Sequence, residues 1–232
     1  MRMRGLKLLL GGALVFCALA AGPAWAGTLD FNGGSLKGHG KLTFTPGIGD
    51  QLSIGTAKTD GALIQSLLND VGLCGGSCTI TKGFLTVLTA GESSQNTVGL
   101  TTTYDFNSGG SIDIYGGIAA LGIPNGTLLL SAQLSGANFI VTKGSKTASF
   151  QAQLILSTIT LDHRLGTYTF AGGSSNTLAI DLTANCGGNG KCSGLIESAN
   201  LTLLTTPEPA SLSFLGTGLL AVGCFLRKKL LS

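Results

Sequence analysis

Four cysteines in the central part of the chain lie in two glycine-containing segments. Cys74-Gly-Gly-Ser-Cys78 and Cys186-Gly-Gly-Asn-Gly-Lys-Cys192 each hold two thiols close together in the sequence. An even number of cysteines favours disulfides in an oxidising compartment. Because glycine lets a tight loop close, we favour a bridge within each pair among the three possible connectivities. A four-thiolate zinc site is the alternative, although C-x3-C with C-x5-C departs from the usual C-x2-C spacing.

Few residues are suited to acid–base or nucleophilic catalysis. The two histidines are His39, between two glycines, and His163, in an Asp-His-Arg tripeptide. The sequence contains no G-x-S-x-G, H-E-x-x-H or phosphate-loop motif. Asp105 and Asp113 would serve as acid and base only if a hairpin brought them together. We therefore predict that the protein is not an enzyme and requires no cofactor.

The stretch between these two aspartates loosely resembles a calcium-binding loop. Asp105, Asn107 and Asp113 place oxygen-bearing side chains at alternate positions around a glycine pair. Gly116 stands where the closing bidentate glutamate belongs. We retain the three residues as candidate metal ligands, but we favour an ordinary hairpin with its turn over residues 106–110 and no bound metal.

Composition excludes two classes of protein. The chain has 232 residues, of which 44% are hydrophobic and 11% charged, and this is too apolar for a disordered protein. Of 14 basic residues, six lie at the two ends, leaving 8 basic against 10 acidic side chains over residues 27–206. Because this middle part is weakly acidic, it lacks the basic surface of a nucleic-acid-binding protein.

The N-terminal 26 residues have the three parts of a secretory signal peptide. A basic segment ends at Lys7, an apolar stretch follows, and Ala24 and Ala26 supply the small residues before a cleavage site. Cleavage there makes Gly27 the first residue of the mature chain. The alternative is a membrane anchor that stays attached, but the apolar stretch is short for a span.

The C-terminal segment has the composition of a short membrane-spanning helix. Residues 210–226 carry no charge and, at about 1.5 Å per residue, would extend roughly 25 Å, the lower limit for a bilayer. The basic residues Arg227, Lys228 and Lys229 follow directly and would stay on the cytoplasmic side. Pro207 and Pro209 flank Glu208 and keep the preceding stretch extended.

This order of tripeptide, short span and basic stop closely resembles the PEP-CTERM sorting signal. The resemblance covers residues 206–229 only. It implies that the protein is a substrate of an exosortase-type enzyme in the inner membrane of an exopolysaccharide-producing Gram-negative bacterium. Cleavage is then expected near Pro207-Glu208-Pro209. An ordinary C-terminal anchor with an accidental Pro-Glu-Pro is the alternative, and it also places the domain outside the cytoplasm.

Residues 27–205 form one predicted domain in which apolar and polar residues mostly alternate. Such alternation indicates half-buried strands. A change of phase near residues 157–158 predicts a bulge or bend, and turns are predicted over 106–110 and 142–146. The predicted strands cover residues 41–44, 51–56, 79–89, 97–105, 111–115, 128–134, 138–142, 150–156 and 178–182, with another near 201–203.

One segment departs from the alternating pattern. Leu63, Ile64, Leu67 and Leu68 recur at helical spacing, and this predicts a short helix over residues 61–70. The expected fold is all-β, a single antiparallel β-sandwich or jelly roll with this one helix. A signal peptide at residues 1–26 and a sorting tail at residues 206–232 complete the chain.

Taken together, these features predict an exported, surface-sorted, non-catalytic protein of the exopolysaccharide or biofilm matrix. Its expected partners are the sorting enzyme, the inner membrane during transit and the exopolysaccharide, with no nucleic acid. One alternative is an extracellular module that binds a glycan along a sheet face or calcium near Asp105. A secreted glycan-active enzyme is the other alternative.

Overall fold

The computed structural model describes residues 27–33, 40–55, 61–145, 147–171, 176–186 and 192–206, and β-strands dominate them. The helical pieces in these ranges are 3-10 turns of three or four residues. The predicted all-β class is confirmed. The strands, in chain order, are β1 Thr28–Asn32, β2 Lys41–Phe44, β3 Ser53–Ile54, β4 Ala62–Asn69, β5 Ser77–Thr89, β6 Glu92–Val98, β7 Thr101–Phe106, β8 Gly110–Ile118, β9 Ile123–Thr142, β10 Thr147–Leu154, β11 Thr160–Leu161, β12 Thr169–Phe170, β13 Thr177–Cys186 and β14 Cys192–Thr206.

The strands form one continuous sheet that returns on itself. β5 pairs with β8 along one edge and with β3 and β4 along the other. β14 pairs in the same way with β13 on one side and with β1 and β2 on the other. Because β1 pairs with β4, β2 with β3, and β8 reaches β13 through β9 and β10, the circuit closes. These pairings are all antiparallel, and we call the closed part the ring.

The inner face of the ring carries the hydrophobic core. Successive side chains of a strand point to opposite faces, so every second residue is buried, as Leu29 and Phe31 are in β1. β10 buries Ala148, Phe150 and Ala152 in the same way. Burying one large apolar side chain contributes about 1.5–3 kcal/mol. The alternation read from the sequence therefore stabilises the ring directly.

An aromatic cluster connects the ring to the base of β7. Phe44 of β2 contacts Tyr104, Phe106 and Phe139 edge to face. The centroid of its phenyl group lies 5.1, 5.4 and 5.7 Å from the centroids of those three aromatic groups, in that order. All four side chains are buried. Aromatic pairs in this geometry contribute about 0.5–1.5 kcal/mol beyond their buried area. The cluster thus fixes β7 to the core through its inward-facing residues.

The helix predicted over residues 61–70 is wrong, because this segment is strand β4. Its pairing with β5 shifts register between Ile64 and Ser66. As a result the buried side chains are Ala62 and Ile64 before the shift and Leu67 and Asn69 after it. Ile64 and Leu67 both point inward although they are three residues apart, and this imitates the spacing of a helix.

Other predicted elements differ in extent. The strand predicted over residues 97–105 is interrupted by a two-residue turn at Gly99 and Leu100, which separates β6 from β7. The strands predicted at 128–134 and 138–142 are one strand, β9. The predicted bend is confirmed as the 3-10 turn Leu156–Thr158, and β9 and β10 form the predicted hairpin around residues 143–145.

Residues 27–205 form one compact unit whose ends meet. The Gly27 N–H donates to the Thr205 hydroxyl at 3.0 Å, and the Thr205 N–H donates to the Gly27 carbonyl at 2.8 Å. The predicted signal peptide, sorting motif, span and basic stop, at residues 1–26 and 207–229, lie outside the described residues. Within the described ranges, no helix is long and apolar enough to cross a bilayer.

Candidate functional site

An open groove crosses four neighbouring strands on the outer face of the sheet. It has a volume of about 570 Å³ and is lined by residues of β7, β9, β10 and β13. Its polar side chains come from segments far apart in the sequence. They are Asp105, Ser135, Asn138, Gln151, Gln153 and Thr177.

Strand register places these side chains in rows. Asp105 lies opposite Asn138, Asn138 opposite Gln151, and Gln151 opposite Ala179. A second row, two residues along the strands, brings Gln153 opposite Thr177. Strands lie about 4.8 Å apart, and positions two apart along a strand are separated by about 7 Å. The four carboxylate and amide side chains therefore lie within reach of one extended ligand.

The concave shape follows from small residues and a local irregularity. Gly136 and Ala179 contribute little or no side chain to the groove surface, and Ala137 and Ala152 lie below it. The pairing of β9 with β10 shifts register at Gly136, where such an irregularity bends a strand. The groove therefore has a shallow floor between taller amide side chains.

Asp105 is the one charged side chain among the described residues that line the groove. The Ser94 hydroxyl of β6 donates to its Oδ2 atom at 2.7 Å, and the Ser93 hydroxyl donates to its backbone carbonyl at 3.0 Å. Both serines orient Asp105 from the neighbouring strand. The lining thus combines one fixed acceptor with amides that both donate and accept hydrogen bonds.

Comparisons with protein-family models, curated proteins and solved structures found no match to this chain. Asn, Gln, Asp and Thr hydrogen-bond to neutral hydroxyl-bearing ligands. Among the described residues, the lining has one carboxylate and no histidine, and these residues include no acid–base pair of the kind that glycoside hydrolysis needs.

Asp105 and Asp113 are not brought together. Asp105 pairs with Asn138 of β9, whereas Asp113 of β8 pairs with Ser131. The two β9 positions are seven residues apart, which corresponds to roughly 20 Å along a strand. The hairpin predicted around residues 106–110 is wrong, because β7 pairs with β6 and β9 whereas β8 pairs with β5 and β9.

The third candidate metal ligand is engaged elsewhere. The Asn107 side-chain amide donates to the Gly91 carbonyl at 3.3 Å, and its backbone N–H donates to the same oxygen at 3.1 Å. Among the residues that the structure describes, no three His, Cys, Asp or Glu side chains come together as a metal site. Asp105, Asn107 and Asp113 are therefore not placed to bind one metal ion together.

The cysteine geometry agrees with local bridging where it is described. Cys74 and Cys78 form a disulfide with their Cα atoms 5.2 Å apart. Cys192 is also disulfide-bonded, and its backbone lies opposite that of Cys186, whose side chain is outside the described residues. A zinc site built from all four thiolates is wrong, because Cys74 and Cys78 are oxidised to each other.

The Asp-His-Arg tripeptide has a structural role. Asp162 accepts two hydrogen bonds from the Arg164 guanidinium, at 2.9 and 3.0 Å, and one from the Arg164 backbone N–H. These bonds lower the pKa of the Asp162 carboxyl. The guanidinium also donates to the Gly122 carbonyl at 2.9 Å, whereas the His163 side chain is largely exposed.

Sequence reasoning did not single out Asn138, Gln151 or Gln153 as binding residues. The sequence did show that Gln151 and Gln153 face away from the core, because they occupy the polar positions of an alternating strand. What the sequence lacked was the pairing that places β10 beside β9 and β13. Without that register, the amides read as ordinary solvent-facing residues.

Proposed function

We propose that this protein is exported, held at the inner membrane by its C-terminal span, and cut near Pro207-Glu208-Pro209 by an exosortase-type enzyme. Its body then serves as a non-catalytic component of the exopolysaccharide matrix. One observation carries the proposal: the folded unit runs from Gly27 to Thr205, and these residues are hydrogen-bonded to each other. Both proposed cuts therefore fall just outside the unit and would leave its hydrogen bonds intact.

We also propose a two-layer arrangement for residues 27–205. The continuous sheet folds over its core so that opposite sides of the ring act as the two layers of a sandwich. Support comes from a buried cluster of described residues that joins strands of both sides and includes Phe31 of β1 and Phe139 of β9. Without the helix first expected at residues 61–70, the layers consist of strands alone.

Sorting is tested by fractionating cells that express the full chain. Replacing Pro207, Glu208 and Pro209 with alanine should leave the protein in the inner membrane, while the parent chain reaches the surface or medium. Leu230→Ala with Leu231→Ala, beyond the basic stop, is the matched control and should sort normally. Finding the parent chain in the cytoplasm would contradict the proposal, and so would normal sorting of the triple variant.

The groove favours a second function, binding of a glycan chain along the sheet face. Its row of Asp105, Asn138 and Gln151 offers one acceptor and two amides at strand spacing. Gln151→Ala and Gly136→Leu, the latter filling the floor, should each weaken retention on the host's exopolysaccharide. Gln133→Ala, on the same outer surface but outside the lining, should not. Equal retention of all variants would rule the groove out.

A further inference from the structure

Strand β6 has a long free edge. β6 ends the path of paired strands. Among the described residues its one strand partner is β7, and an isolated bridge joins Glu92 at its base to Ile48. Residues 93–98 are all exposed, so side chains on both faces of β6 meet solvent. We call β6 from residue 93, together with its turn, residues 93–100, the arm. A free strand edge presents unpaired N–H and C=O groups to any strand that approaches.

The arm lacks the usual devices that protect such an edge. Residues 93–100, Ser-Ser-Gln-Asn-Thr-Val-Gly-Leu, contain no charge and no proline. The register shift between Glu92 and Ser94 affects only the base of the strand. Because Gly99 and Leu100 form a two-residue turn, Val98 and Thr101 are a hydrogen-bonded pair. Alternation along the strand then makes Gln95 and Thr97 the residues whose backbone groups point outward.

The base of the edge is already covered. The Gly49 N–H donates to the Glu92 carbonyl at 2.9 Å, and the Glu92 N–H donates to the Asp50 carbonyl at 2.7 Å. The buried Glu92 carboxylate holds the same loop by accepting from the Gly47 N–H at 3.0 Å. Ile48 is thereby held out at the base of β6, where it is 90% exposed.

Exposed apolar side chains thus mark both ends of this one edge. Val98 and Leu100 at the tip are 72% and 64% exposed, and with Ile48 they are the most exposed large apolar residues in the described ranges. In an antiparallel pair of identical strands, the tip of each strand meets the base of the other. The turn of one copy, with Val98 and Leu100, would then cover Ile48 of the second copy. In a single copy, Ile48 and the turn lie at opposite ends of β6, so the turn cannot cover Ile48 of its own chain.

We propose that two copies of this chain join through their β6 edges, antiparallel and related by a two-fold axis at Asn96. The register follows from the edge itself. Gln95 and Thr97 point outward, so the axis falls on Gln95, Asn96 or Thr97. An axis at Thr97 places Gln95 opposite Gly99, which lies in the turn, so that only Thr97 could pair. An axis at Gln95 places Val98 opposite Glu92, whose edge the loop already occupies. An axis at Asn96 pairs Gln95 with Thr97 and leaves the loop in place. The joint is isologous and closes as a dimer, independently of the proposed sorting and of the groove.

The register predicts a specific cross-link. Two Asn96 residues would form a non-hydrogen-bonded pair with Cα atoms about 4.5 Å apart, within the range that a disulfide spans. The full chain carrying Asn96→Cys should therefore form a covalent dimer under mild oxidation. Mass spectrometry of the digest should recover the residue-96 peptide linked to itself. Gln133→Cys is the control. Gln133 is exposed, but it lies on β9, which is not an edge strand, so this chain should stay monomeric.

Charge pairs then test the register without disturbing the ring. In the Asn96→Cys chain, adding Gln95→Lys and Thr97→Lys places lysine opposite lysine across the axis and should lower cross-linking through residue 96 about tenfold. Mixing this chain with an Asn96→Cys chain that carries Gln95→Glu and Thr97→Glu should restore a cross-linked mixed dimer. Melting temperatures close to that of the parent will show that both chains are folded. No self-linked peptide from Asn96→Cys, or equal linking in the lysine variant, would overturn the proposal.

Discussion

The ring and the arm are both made of antiparallel strands, yet they use their side chains in opposite ways. In the ring, strands such as β10 bury alternate residues, and Phe150 is fully enclosed. In the arm, all six residues 93–98 are exposed. The same backbone pattern therefore has two different uses. Burial within one chain stabilises the ring, whereas the arm leaves its backbone groups and its exposed apolar side chains available to another chain.

The largest contrast should come from an aromatic residue of the ring. Phe139→Ala removes a fully buried phenyl group that contacts Phe44, and it should lower the free energy of unfolding by about 3–5 kcal/mol. Val98→Ala in the arm should change it by less than about 0.5 kcal/mol. Urea unfolding of both variants measures the difference. Comparable losses would mean that the arm is part of the core.

Two strand glycines sharpen the contrast between the ring interior and the groove. A methyl group at Gly83 of β5 would overlap the Ile64 carbonyl oxygen, so Gly83→Ala should destabilise the fold by about 1–3 kcal/mol. At Gly136 the nearest atom to the added methyl group is 3.8 Å away. Gly136→Ala should therefore shift stability by less than about 1 kcal/mol. If the two alanine variants unfolded at the same urea concentration, this account of β5 would be wrong.

The disulfide should matter less than the core. Cys74 and Cys78 enclose a very short loop, and on the chain-entropy model such a loop contributes roughly 2 kcal/mol. The double variant Cys74→Ala, Cys78→Ala should unfold at correspondingly lower urea concentration but retain its strands by circular dichroism. Loss of all β structure would show that the bridge holds the ring together.

The smallest effect should depend on pH. Arg164 lowers the pKa of Asp162 in the folded state, so the ionised carboxylate stabilises the fold above the unfolded pKa of about 3.9. This contribution is lost as the pH falls through the lowered folded pKa. Asp162→Asn should thus melt below the parent at pH 7, and the two melting temperatures should converge in acid. A gap that widens below pH 4 would contradict this assignment.

How far the sequence could predict the structure differs between these regions. Strands with clean alternation, such as the one containing Phe150 and Ala152, were predictable because burial of one face has a period of two. β4 was not, because its register shift places Ile64 and Leu67 on one face at helical spacing. The turn at Gly99 was missed because threonines and valine continue on both sides with strand-like composition.

The groove and the arm depend on pairing between distant segments. Asp105, Asn138 and Gln151 become neighbours only when β7, β9 and β10 align, and no local pattern specifies that register. Likewise, residues 93–96 are all polar and show no alternation, so the sequence predicted no strand there. Only the position of β6 at the end of the sheet path leaves both faces exposed.

The intact mass of the protein recovered from the cell surface tests the central claim most directly. We expect a chain that begins at Gly27, ends near Pro207-Glu208-Pro209 and has Cys74 and Cys78 oxidised. Such a mass would show that the folded unit leaves the cell intact, after cleavage of the chain just before Gly27 and just after Thr205. A surface form that retains residues 1–26 or carries the whole tail through Ser232 would contradict it.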